Sequence, residues 1–285
     1  MKQLSILICL GLILCLLPGC SNTSPAQIAA TTLPVYEFTV RLCEGTGITV
    51  TRLVTEEVSC LHDYSLKTAQ MRAIEGAQLV VISGGGLEDF MADIVPAEKT
   101  IDASSGIELE CGHEHDGHSH EHDPHFWLSP VLAKEMVSNI AAGLCVQYPQ
   151  HESTFRINEE ILHKELDSLY RYGQEQLANL SCKELITFHD GFHYFAESFD
   201  LEIIRSVEEE SGSEASAQEL IELINLIDDH QLPAIFTERS GSTSAAGIIA
   251  AETGVKTYVL DMAMAGDSYF KAMHNNIRVL KEALG

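Results

Sequence analysis

Residues 151–180, "HESTFRINEEILHKELDSLYRYGQEQLANL", contain no strand-like interruption. Ile157, Ile161, Leu162, Leu166, Leu169 and Tyr172 form an apolar stripe near the helical period, and the other positions are heavily charged. A helix of this length is a stiff spacer. Whatever precedes it and whatever follows it must fold as two halves on either side of a rod.

Both flanks alternate between strand and helix patterns. Before the rod, "QIAATT" (27–32) reads as a short strand, "LPVYEFTVRLC" as a helix and "GITVTRLV" (47–54) as a β-branched strand. "SLKTAQMRAIEGA" carries apolar residues at near-helical spacing, and "QLVVIS" follows as a buried strand. In "WLSPVLAKEMVSNIAAGLCVQYP", Ser129 is placed to cap a helix that opens on Pro130, and Pro149 marks a break. After the rod come "KELITF" (183–188), "GFHYFAESF", "LEIIRSV", "SEASAQELIELINLIDDH" (213–230), "LPAIFTE", "STSAAGIIAAET" closed by Gly254, and "VKTYVLD" (255–261), the last element assigned.

Repeated β-α-β order implies parallel sheets with helices packed on them. The expected fold is therefore α/β: two similar lobes with parallel-type sheets flanked by helices and joined by one long rigid helix. Ligands in such sheets bind beyond the carboxyl ends of the strands, here in the cleft between lobes. The expected divisions are a signal peptide (1–19), a tether (20–26), an N-terminal lobe (27–148) with a His-rich loop (111–124), a linking helix (149–180) and a C-terminal lobe (181–285).

The first residues, "MKQLSILICLGLILCLLPGC", have a positive start, an apolar run and a small residue before Cys20, the pattern of a secretory signal. "LPGC" resembles a bacterial lipobox, which implies cleavage before Cys20 and a lipid on that residue. The alternative is an uncleaved single-span anchor. Either places the bulk of the protein outside the cytoplasm, attached to the membrane. A net charge of −25 argues against nucleic acid as a partner and suits attraction of cations. Beyond the signal and Cys20 there remain Cys43, Cys60, Cys111, Cys145 and Cys182, an odd set without a CxxC, so a thiolate zinc cluster is not expected.

Metal-competent side chains stand at or soon after the expected strand ends: His62, His125, His189 and Asp261, two per half. Three imidazoles and a carboxylate suit four-coordinate zinc. Singly, each has a plainer reading, as a surface or helix-capping residue.

Several stretches resemble the metal-binding proteins of zinc and manganese ABC importers, the cluster A-I solute-binding family of zinc-uptake lipoproteins. They are "DPHFWLSP" (123–130), "CLHDYSLKTAQMRAIEGAQLVVISGGGLEDFM", "ITFHDGFHYFAESFDL" and "AIFTERSGSTSAAGIIAAETGVKTYVLD". The likeness runs in order through nearly all of the chain beyond residue 26. It implies His62, His125, His189 and Asp261 as ligands, an ABC permease as partner, a lipid anchor, a monomer and no catalysis. His189 at the third position favours Zn2+ over Mn2+, whose members tend to carry Glu there. Where that family usually reads Asp-Pro-Leu-Gly, this chain has "LDMAMAGD", so Asp267 competes with Asp261. His193 and Glu238 are expected as orienting partners or neighbours of the ligands rather than ligands themselves.

"HEHDGHSHEH" (113–122) is polar, contains Gly117 and has no apolar face, so it cannot fold alone. His113, His115, His118, His120 and His122 are expected to bind metal weakly, as a collector beside the rigid ligand His125. Other readings are a manganese-binding paralogue, an adhesin of the same fold, and a zinc hydrolase using His62, His125 and His189 with Asp190 or Glu238 as base.

Overall fold

The computed structural model describes residues 26–58, 61, 64–110, 122–208, 215–239 and 243–285. The N-terminal sheet contains β1 (Ile28–Ala30), β2 (Val50–Arg52), β3 (Leu79–Ile82) and β4 (Thr100–Asp102), all parallel in the order β2-β1-β3-β4. The C-terminal sheet contains β5 (Glu184–His189), β6 (Glu202–Glu208), β7 (Ala234–Glu238) and β8 (Lys256–Leu260), parallel in the order β6-β5-β7-β8. The two sheets repeat one topology. In each, chain direction across the sheet reverses between its first and third strands, where α/β sheets place their ligands.

Eight α-helices accompany the sheets among the described residues: α1 (Leu33–Leu42), α2 (Thr68–Gly76), α3 (Pro130–Gln147), α4 (Glu152–Leu177), α5 (His193–Ser198), α6 (Ala217–His230), α7 (Ser244–Thr253) and α8 (Tyr269–Leu284). The expected punctuation operates: Ser129 Oγ accepts from Leu132 N ahead of Pro130, and Gly254 ends α7 at φ 76°. Among the described strands and α-helices, one of each lies outside the sequence assignment. β4 has only three residues at a sheet edge, too few for a periodic signal, and α8 follows the last assigned strand.

Strand alternation divides the core. Ile28 and Ala30, Leu79 and Val81, Leu185, and Ala234 and Phe236 face one large cluster shared by both lobes. Their neighbours Ala29 and Val80 face a satellite core under α2, whereas Ile186 and Ile235 face one under α6 and α7. The shared cluster is completed by α1, α3, α4 and α8. The linking helix is therefore no free spacer: α4 packs on α1, α3 and α8. At Gly173 an added Cβ would lie 2.2 Å from the Phe199 ring, which shows how closely α4 approaches the C-terminal lobe.

The buried stripe of α4 differs from the one read in the sequence. It comprises Phe155, Leu162, Leu166, Leu169, Gly173 and Leu177. Ile157 and Ile161 face water, because they stand roughly 200° and 240° around the helix from Phe155 at 100° per residue. No described helix is long and apolar enough to cross a membrane. Residues 1–19 and Cys20 lie outside the described residues, as do Cys60 and Cys111; Cys43, Cys145 and Cys182 are free thiols.

Candidate metal centre

His125 and His189 come from different lobes and meet. His189 closes β5, at the point where the C-terminal sheet reverses. His125 precedes a single 3-10 turn, Phe126–Leu128, that leads into α3. Each is only 3% exposed, and their Nε2 atoms stand 3.4 Å apart. Two nitrogens bound at about 2.0–2.1 Å to one tetrahedral ion lie about 3.3–3.4 Å from each other. The pair is already at ligand spacing.

The environment of His125 fixes its tautomer. Asp123 Oδ1 lies 2.8 Å from Nδ1 and also accepts the backbone N–H of His125 at 2.9 Å. A carboxylate only accepts, so Nδ1 carries the proton and Nε2 offers its lone pair to the cleft. Asp123, two residues before His125, thus orients that ring, a contact that the sequence reading did not name. Gly191 lets the two imidazoles approach. A Cβ there would meet Met262 Cε at 2.6 Å, His189 Cδ2 at 2.9 Å and His125 Nδ1 at 3.0 Å.

Asp123 also anchors the base of the His-rich segment. Its backbone N–H donates to Glu110 O, while Tyr194 OH accepts from Glu110 N and donates to Asp123 O. Residues 111–121, with His113, His115, His118 and His120, lie outside the described residues; His122 is exposed at the edge of that segment.

The remaining candidates are placed as follows. His62 lies outside the described residues. Asp261 follows β8, where Asn276 from α8 accepts from its N–H and donates to its carbonyl. Its Oδ1 accepts the N–H of Ala263, which sits at φ 55°, and its Oδ2 pairs with Arg239 at 2.9 Å. Asp267 is exposed just ahead of α8, whereas Asp261 lines a recess between the lobes. Glu238 is buried at the end of β7, in one recess with Asp261, Arg239, Met262 and the N-terminal lobe's Val58. His193 turns to Asp190, 2.7 Å away, and that hydrogen bond raises its pKa against the opposing effect of burial. Among the described residues no group of three His, Cys, Asp or Glu side chains converges closely enough to hold an ion.

Across the cleft, the N-terminal sheet ends on a buried carboxylate. Glu88 accepts from Thr31 Oγ1, Ser83 N and Gly84 N, which join the ends of β1 and β3. Burial pushes its pKa up to about 7 despite those donors. Above the ordinary carboxyl range the unfolded chain has released this proton while the native state still holds it. The metal-free protein therefore loses stability as pH rises toward 7, by on the order of 1–3 kcal/mol from this group. Urea melts at pH 5 and pH 8 will show that loss, and Glu88→Gln will shrink it. An equal slope in the variant refutes the assignment.

The description "Zinc-uptake complex component A periplasmic" matches residues 28–283. The chain belongs to the ZnuA family. It is 30% identical to the high-affinity zinc uptake system protein ZnuA of Bacillus subtilis, over 93% of this chain and 89% of that protein. It is also 30% identical to the zinc-binding lipoprotein AdcA of Streptococcus pneumoniae, over 99% of this chain but only 61% of AdcA, so it spans less than two thirds of that relative. The Zn(II)-bound ZnuA-like domain of S. pneumoniae AdcA superposes with a TM-score of 0.76 at 29% identity, over 90% of this chain and 98% of that domain. The family is described as a component of a zinc-uptake complex. The two-lobe α/β fold and the zinc assignment expected from the sequence agree with these matches.

Proposed function

We propose that this chain captures Zn2+ outside the cytoplasm and hands it to an ABC permease, with His62, His125, His189 and Asp261 as the ligands. Zinc is cargo here. The observation that carries the reading is the 3.4 Å spacing of two buried Nε2 atoms contributed by opposite lobes, one with its tautomer set by Asp123. Imidazole donors at two or more positions favour zinc over manganese, which prefers oxygen. Cys20 is the proposed lipid attachment, with residues 1–19 as the signal and 20–26 as the tether. The anchored protein acts as a monomer.

The His-rich segment is a collector distinct from this site. Its base is pinned at Glu110 and Asp123, so the segment is removable without displacing His125. Deleting 113–122 leaves one tight zinc site per chain and lowers the total zinc bound at saturation, as read by competition titration together with metal analysis. Loss of tight binding in the deletion sinks the division between collector and site. Two tight sites in the full chain sink it as well.

A further inference from the structure

Arg239 is the first residue beyond β7, and its guanidinium holds the carboxylate proposed above as the fourth ligand. The contact is built into the sheet. Glu238 pairs with Leu260 in the β7–β8 register, so the next residue on each strand, Arg239 and Asp261, comes out side by side at the strand ends. Nη2 lies 2.9 Å from Oδ2, and the other oxygen is taken by the Ala263 N–H at 2.8 Å. Asp261 is largely buried, at 17% side-chain exposure, whereas Arg239 is 56% exposed, on the solvent side of the pair. A guanidinium stays charged at every accessible pH, so acid–base change cannot dismiss it; it must be displaced.

We propose that Arg239 is an internal competitor for Asp261, pairing with it when cargo is absent and re-pairing as cargo leaves, so that it tunes both zinc affinity and release. The inference rests on the reading of Asp261 as a ligand. It gives the binding protein a way around a conflict in its task. Imidazoles hold the ion tightly, yet the ion must be surrendered to the permease. A cation already poised beside the carboxylate takes back that oxygen when the metal–oxygen bond stretches, which lowers the barrier to leaving. The shared recess places this exchange where the lobes meet, since Glu57 and Val58 from the N-terminal lobe line it with Arg239 and Asp261.

The test is zinc affinity by chelator competition and zinc release by chelator chase, in wild type, Arg239→Ala, Arg239→Gln, Asp261→Asn and the Arg239→Ala/Asp261→Asn double variant. Expected are roughly two- to fivefold tighter binding and correspondingly slower release in both Arg239 variants, the range for an ion pair with one exposed partner. Arg239→Lys retains wild-type behaviour in part. In the Asp261→Asn background, Arg239→Ala changes nothing. Affinity unchanged or weakened in the Arg239 variants, with Asp261→Asn still impaired, overturns the competitor role and leaves the ligand assignment standing. A gain that persists undiminished in the Asp261→Asn background also overturns it, because simple charge repulsion then accounts for the effect. Wild-type binding by Asp261→Asn removes the ligand assignment and this inference with it.

Discussion

His189→Ala lowers zinc affinity by more than about 100-fold. Removing a group that merely orients a ligating histidine costs about 10–100-fold in many metal sites, and deleting the ligand itself must exceed that. Asp123→Ala supplies the internal scale. It leaves both imidazoles in place but frees the His125 tautomer, so its loss falls within about 10–100-fold. His189→Glu retains a donor at the end of β5 and exchanges nitrogen for oxygen, so it moves preference toward manganese. Chelator competition with Zn2+ and Mn2+ measures all three, and circular dichroism of the metal-free variants checks that the fold survives. Zinc affinity in His189→Ala within a few-fold of wild type rules out the site as drawn, whatever the family resemblance implies.

The parts of this molecule that were legible in its residues share a physical origin. β5 and β7 were readable because β-branched and aromatic runs end abruptly in polar residues, and the polar residues that end them are His189 and Glu238. α3 was readable from Ser129 and Pro130, local chemistry that needs no tertiary context. What escaped depends on contacts distant in sequence. Ile157 and Ile161 fit a helical stripe as well as Phe155 does, and only packing against α1, α3 and α8 decides which side is buried. Arg239 and Asp261 are 22 positions apart, and nothing short of the β7–β8 register reveals that they touch. Gly191 is one glycine among twenty until two imidazoles and Met262 are seen around it. Asp123 was within reach, because an aspartate two residues before a histidine readily bonds its neighbour's backbone and ring.

Trp127→Ala destabilises the metal-free protein by about 3–5 kcal/mol and does so in one transition, not two. Trp127 is fully buried, which sets the packing loss for a large aromatic side chain. Its indole Nε1 donates to Met262 O at 2.8 Å, its own carbonyl accepts from Tyr269 OH at 2.8 Å, and its ring meets His125 edge-on at 5.4 Å. It therefore ties His125 of one lobe to the loop that follows Asp261 in the other. Further bonds cross the same seam: Leu33 N to Met264 O, Arg52 to Gly266 O, and Glu37 to Ser268 and Tyr269. Trp127→Phe keeps most of the ring volume and removes the donor to a buried carbonyl, so its cost falls to about 1–3 kcal/mol. Because this is the only tryptophan in the chain, its fluorescence reports unfolding at the seam alone, while far-ultraviolet circular dichroism reports both sheets. A core continuous through both lobes requires the two signals to coincide in wild type. The circular dichroism transition in Trp127→Ala must then move as a whole. Separate transitions, or an alanine variant that melts like wild type, mean that the lobes fold independently. The seam would then be a hinge free to open widely around the ion instead of a fixed joint that brings His125 to His189.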